Sequence, residues 1–221
     1  MTIAEDLLLL VTDPESGKCR LSSMITDVTL GGANLVDLVY AKRVELQGDK
    51  RKAKVVLIDK SPTGNLILDR AIFALRTKGP LRPQAAVRQL GKKSKEPLYD
   101  ALEARGTVQR RTEKRFGLFP VTRWPVVDSV RRDNLLRLIR SSLLHDQEAD
   151  DSTGPLIGLL AASGKLPLVV DKPELKAAKA RAKVIAAGDW ASDEVRKAIQ
   201  AANTVMMVAA ISATSAGAAG S

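Results

Sequence analysis

Apolar positions in this chain recur mostly at three- and four-residue intervals, the spacing that lines one face of an α-helix. The first signal is Leu7–Leu10. Thr2 and Glu5 stand ahead of it at capping-box spacing, and Asp13-Pro14 follows, so the helix should stop before that pair. Asp13–Lys18 reads as a turn and Cys19–Leu21 as a briefly paired segment. Leu30, Leu35, Leu38 and Val39 put a helical stripe through 24–41. Val44–Leu46 and Val55–Ile58 flank the charged turn Gln47–Lys54 and predict a hairpin. Ser61-Pro62-Thr63-Gly64 interrupts, and the next helix runs to about Lys78, where Gly79-Pro80 ends it. Two short helices follow near 81–90 and 95–105. A second hairpin is predicted through 107–122, with Thr107–Val108 and Phe116–Val121 bracketing the polar turn Arg110–Arg115. Helices near 127–145, 153–163, 173–187 and 193–212 complete the chain, and Ser212–Ser221 is small and polar enough to fray.

This pattern predicts a mainly α fold with short β-hairpins, one domain over 1–212 and a flexible tail over 213–221. A chain of 221 residues can bury one sizeable core, and with 3% aromatics that core must be built from Leu, Val, Ile and Ala. The single Cys19 permits no internal disulfide, which fits a reducing cytosol. The N-terminal apolar run is preceded by acids rather than by a basic flank, unlike a secretory signal. Val205–Ala213 is apolar but far shorter than the roughly 20 residues a membrane-spanning helix needs, so it reads as a buried helix.

Charge changes the picture. Residues 76–140 hold 17 Lys and Arg against six Asp and Glu, a net +11 where the whole chain carries +10. A charge this localised marks a surface that meets an anion. Within it, Gly91-Lys92-Lys93-Ser94-Lys95 leads into a helix, with Ser94 a natural N-cap and Pro97 tolerated in the first turn. Free N–H groups at a helix start favour a phosphate, and a bound anion would offset the mismatch of Lys92 and Lys95 beside the positive dipole end. A solvated basic loop is the competing reading. The second hairpin carries Arg110, Arg111, Lys114 and Arg115 at its turn, followed by Phe116, Leu118 and Phe119. Basic turn plus apolar strand suits peripheral membrane contact, while core packing or subunit contact would use the same three apolar residues.

Two further classes stay open. Helix, turn, helix and basic hairpin over 81–122 also describe a winged helix that binds nucleic acid, although Glu96, Asp100 and Glu103 suit a groove-lying helix poorly. A protein adaptor with a basic docking face is the other. Catalysis has the least support. His145 is the only histidine and stands at a predicted helix end beside Asp146, Cys19 lacks partners for a metal site, and no G-x-S-x-G, P-loop or G-x-G-x-x-G element occurs. No cofactor is called for.

Several segments resemble, in order, the Golgi phosphoprotein three family. They are Asp6–Leu10 with Asp13–Lys18; Leu30–Leu38 with Arg43; Ser61–Ala71; Phe116–Phe119 with Trp124-Pro125; and Pro155–Leu160. The resemblance covers nearly the whole chain. It implies one mainly α-helical domain around a buried apolar helix, peripheral on the cytosolic face of a membrane. Eukaryotic members recognise phosphatidylinositol 4-phosphate and bind glycosyltransferase tails as cargo. Their hairpin is implicated in self-association, which implies a homo-oligomer through 107–122 here. The family's two basic phosphate-holding residues fall on Lys92 and Lys95, with Arg88 and Lys93 adding attraction. Its Trp and Arg pocket positions fall on Ser22 and Gly31, so half of that pocket is replaced. The Ala- and Arg-rich, insertion-poor sequence suggests a bacterial member.

Overall fold

The capping box forms as the spacing predicts. In a computed structural model that describes residues 1–48, 52–115, 119–187, 196–201 and 203–205, the Glu5 N–H donates to Thr2 Oγ1 at 3.1 Å and the Thr2 N–H to Glu5 Oε2 at 2.6 Å. These bonds start α1 (Ile3–Val11), every residue of which is buried. An apolar helix with no solvated face must lie inside its domain, and α1 is buried along its whole length. Thr2→Ala is expected to cost about 1 kcal/mol in urea denaturation, by removing the cap.

Helix α2 (Ser23–Tyr40) packs on α1 and presents Asp37 to its N-terminus, where the carboxylate accepts from the Ile3 N–H at 2.7 Å and the Ala4 N–H at 3.0 Å. Strands β1 (Val44–Gln47) and β2 (Lys54–Leu57) pair antiparallel with Val44 opposite Leu57, followed by α3 (Leu66–Arg76). Asn65 caps α3 through the N–H groups of Ile67 and Leu68. Then come α4 (Pro83–Gly91) and α5 (Lys95–Ala104). The hairpin β3 (Arg111–Arg115) and β4 (Phe119–Arg123) leads to α6 (Val130–Leu144), α7 (Thr153–Ala162) and α8 (Leu175–Ala187). Residues 196–201 and 203–205 are helical, and Val205 is buried. The result is mainly helical, with two small two-stranded sheets in a single compact domain. The fraying expected over 212–221 and the proposed 213–221 tail lie outside the described residues.

The second hairpin departs from its predicted register. Arg111–Arg115, expected as a turn, is strand β3, pairing Arg111 with Arg123 through to Arg115 with Phe119. Arg111–Lys114 are all exposed, so no buried face imposes the apolar alternation on which strand recognition depends. Thr107 and Val108, expected in the strand, are the hairpin's buried foot, with Val108 bridged to Val126. Phe116 and Leu118 lie outside the described residues; Phe119 opens β4.

The most extensive helix packing joins α2 to α4. It is made backbone to backbone: a Cβ on Gly31 would stand 1.9 Å from the Val87 carbonyl oxygen, and one on Gly91 would stand 1.8 Å from that of Asp27. This crossing fixes where α4 ends, and with it the loop that follows.

Candidate anion-binding site

The C-terminal residue of α4 and the first residue of α5 are separated by Lys92-Lys93-Ser94 alone. The loop therefore sees the negative end of one helix dipole and the positive end of the other. Arg88, Lys92 and Lys93 benefit from α4's C-terminus, so their presence does not by itself call for a bound anion. The expected electrostatic mismatch is confined to Lys95, in the first turn of α5.

Ser94 stands at the N-cap position without capping. Its hydroxyl donates to the Gly91 carbonyl at 2.9 Å and its N–H to the same oxygen at 3.1 Å. Its φ and ψ of −84° and −23° are helical, whereas a capping side chain works from extended backbone. The first N–H groups of α5 consequently have no side-chain cap, and Pro97 has no N–H to offer.

Neighbouring helices pin the loop. The Lys92 N–H donates to the Arg88 carbonyl at 3.2 Å, Asn34 of α2 donates Nδ2 to the Leu90 carbonyl at 3.1 Å, and Arg70 of α3 reaches the Lys93 carbonyl at 3.4 Å. Lys93 turns the chain with a φ of 54°, the left-handed region that L-residues enter at a cost.

Lys92 and Lys93 line one cavity of about 330 Å³ between α3 and the loop, together with Arg70 and Asn34. Lys92 also lines a groove along α4 with Arg82 and Arg88. Lys95 lines neither: its Nζ lies 3.5 Å from Glu96 Oε1. It also neighbours Asp27, whose carboxyl burial pushes up and Lys95 pulls back. The structure therefore pairs Lys92 with Lys93 at the cavity and with Arg88 along the groove, and turns Lys95 toward carboxylates.

Sequence reasoning missed Arg70 and Asn34. Arg70 stands inside the Ser61–Ala71 segment, and Asn34 is the one amide in the largely apolar run Val28–Leu38. Each had a local signal, but only helix packing aims it at the loop.

The basic window divides into two populations. Arg105, Arg110, Arg131 and Arg140 are engaged by Glu5, Asp100 with Glu103, Asp6, and Asp171 with Glu174. Arg82, Arg88, Lys92 and Lys93 make no ion pair among the described residues, nor does Arg70, which stands ahead of the window. Arg110 also lies 4.6 Å over the Trp124 ring, which stacks on Tyr99 with centroids 4.8 Å apart. It is an anchor of the hairpin rather than a free charge. On the hairpin, Arg111 and Lys114 are exposed.

Ser22 is exposed at the start of α2, and Gly31 is the crossing glycine. A side chain at position 31 would enter the α4 backbone, so the arginine that the resemblance would place there has no room in this packing. Asp100 and Glu103 give the outer face of α5 carboxylates where a groove-binding helix would meet phosphates. His145 caps the C-terminus of α6 through its N–H to the Ser141 carbonyl at 3.0 Å. Among the described residues no group of three His, Cys, Asp or Glu is placed to hold a metal ion. No helix among them is long and apolar enough to cross a membrane.

Fold and site thus define a mainly helical domain with a cation-rich loop between two short helices. The chain belongs to the Golgi phosphoprotein 3 (GPP34) family, whose sequence model matches residues 3–202. This is a family of non-enzymatic lipid-binding and adaptor proteins. Comparison with curated proteins found none that matches the chain.

Proposed function

We propose that this protein docks peripherally on the cytosolic face of a membrane by binding anionic lipid headgroups, phosphatidylinositol 4-phosphate among them, at the α4–α5 loop. Lys92 and Lys95 contact the headgroup phosphate, Lys93 and Arg88 add attraction, and the hairpin with Arg111, Lys114, Arg115, Phe116, Leu118 and Phe119 gives a second contact or a self-association surface. The observation that carries this reading is the set of cations around the loop, of which Arg88, Lys92 and Lys93 meet no carboxylate among the described residues and Lys95 meets Glu96, in a family that binds lipids. Lysine offers a phosphate a point charge rather than a planar fork, so the grip is weaker and less selective than an arginine pair would give.

Co-sedimentation at physiological salt tests it with neutral vesicles, generic anionic vesicles, and charge-matched vesicles carrying phosphatidylinositol 4-phosphate. Both anionic sets are expected to bind the protein comparably and the neutral set not at all. Each basic residue near an anionic surface contributes about 1 kcal/mol, so Lys92→Ala with Lys95→Ala should weaken binding roughly 30-fold. Unchanged binding by that double variant would remove the site. Absence of wild-type binding to every vesicle would return the basic surface to nucleic acid or protein.

A further inference from the structure

We infer that the cavity between α3 and the α4–α5 loop seats the headgroup of an anionic phospholipid, with Leu66 and Phe73 of α3 entering the acyl layer beside it. The inference rests on the lipid-binding reading above and adds the Leu66–Phe73 part of α3, which lies ahead of the basic window and outside the hairpin.

Three observations carry it. Arg70, Lys92 and Lys93 line the cavity, and no carboxylate does among the described residues. Asn34 lines it too, only 2% exposed; donation of its Nδ2 to Leu90 fixes the amide orientation and leaves Oδ1 without a partner. Asn34 thus gives the cavity wall a fixed polar side chain beside the three cations. Finally, Leu66 is 86% and Phe73 65% exposed. Single exposed apolar residues are ordinary. These two stand at i and i+7 with Arg70 at i+4, an apolar–basic–apolar stripe on one helix face, and Phe73 itself borders the cavity. Basic heads beside exposed apolar side chains suit an anionic membrane better than free phosphate in water. On its α2 side the same loop is closed by the Gly31–Gly91 crossing, with Asp27 beside Lys95.

Flotation of the full chain with phosphatidylcholine vesicles containing phosphatidylglycerol tests the seat. Leu66→Ser with Phe73→Ser, and separately Arg70→Gln with Lys93→Gly, should each raise the lipid concentration for half-binding about 10-fold or more. All four side chains are exposed and Gly relieves the positive φ at 93, so Tm should hold or rise. Phe73→Trp, read against native Trp124 and Trp190, should gain quenching by brominated acyl chains. Wild-type-like flotation of both double variants, with no added quenching at position 73, overturns the inference and leaves the lipid reading standing; a face that docks an acidic protein segment gives that same result. Failure of the wild type to float overturns both.

Discussion

Gly31→Ala is expected to destabilise the protein by 3 kcal/mol or more, on the order of the upper range for overpacking substitutions. The added Cβ would meet the Val87 carbonyl oxygen at 1.9 Å and the Gly91 nitrogen at 2.9 Å. Both are backbone atoms inside or at the end of a helix, so neither can swing aside as a side chain would. The helices must separate, and α2 with α4 is a closely packed pair in the fold. Against a typical domain stability of about 5–15 kcal/mol, this loss approaches unfolding. Gly91→Ala should behave alike, since its Cβ would stand 1.8 Å from the Asp27 oxygen. Gly158→Ala is the contrast: there the nearest atom is Ile199 Cγ2 at 3.2 Å, a side-chain methyl that can move, and the cost should stay within about 1 kcal/mol. Urea denaturation with m-values compared across the three variants checks the ranking. An alanine at 31 tolerated as well as one at 158 would mean that α2 and α4 are not held this close. The same argument bears on function. Gly31→Arg, at the position where the sequence resemblance would put a pocket arginine, is expected to pry the crossing apart and displace Lys92 and Lys93 rather than complete a headgroup pocket.

What was legible in the chain follows from which physics is local. The capping box at Thr2 and Glu5, the first hairpin, and the stops at Asp13-Pro14 and Gly79-Pro80 each depend on a few neighbouring residues, and each appears near its predicted place. Ser94 failed as a cap because cap identity depends on the residue's own φ and ψ, which the tight α4–α5 turn imposes. The hairpin register was missed because β3 is polar and exposed, so alternation carried no signal. The loop's electrostatics were half visible: Lys95 at the start of α5 was read correctly, but the same loop also ends α4. Cation pairing was not visible at all. Arg110 and Lys93 look alike in sequence, yet one lies over Trp124 between two carboxylates and the other borders a cavity.

Stability is also expected to fall as pH rises from about 4 to about 8, and Asp37→Asn to remove that fall. Asp37 is buried on α2, with Glu5 and Asp6 of α1 facing it. Arg105 reaches Glu5 at 3.3 Å and Arg131 reaches Asp6 at 3.0 Å, whereas Asp37 has only the N–H groups of Ile3 and Ala4. Burial, reinforced by the charges of Glu5 and Asp6, outweighs those two hydrogen bonds and raises its carboxyl to about 7 from an ordinary 3.8. Between those values the folded chain holds a proton that the unfolded chain has released, so unfolding becomes easier with each step up in pH. The contribution is fully present below 3.8 and is lost as pH passes 7. The separation corresponds to roughly 4 kcal/mol, about half the stability of many domains. On the acid side the sign reverses. The Ser16 hydroxyl and then Arg20 hold Asp13 well below the carboxylate range, and hydrogen bonds from Thr153 and Ser152 overcome burial to hold Asp150 at about 2. Their stabilisation is present above the ordinary carboxylate pKa and is lost as pH falls through the lowered values. Urea titrations from pH 4.5 to 8 isolate the Asp37 regime, since the stabilisation from Asp13 and Asp150 is lost only below that span. The wild type should weaken across that span, while the Asn variant, whose amide keeps one acceptor for α1 and cannot ionise, should stay flat. A wild-type profile that is level or rising there would mean the α1 N-terminus holds Asp37 ionised, and that burial is the weaker influence.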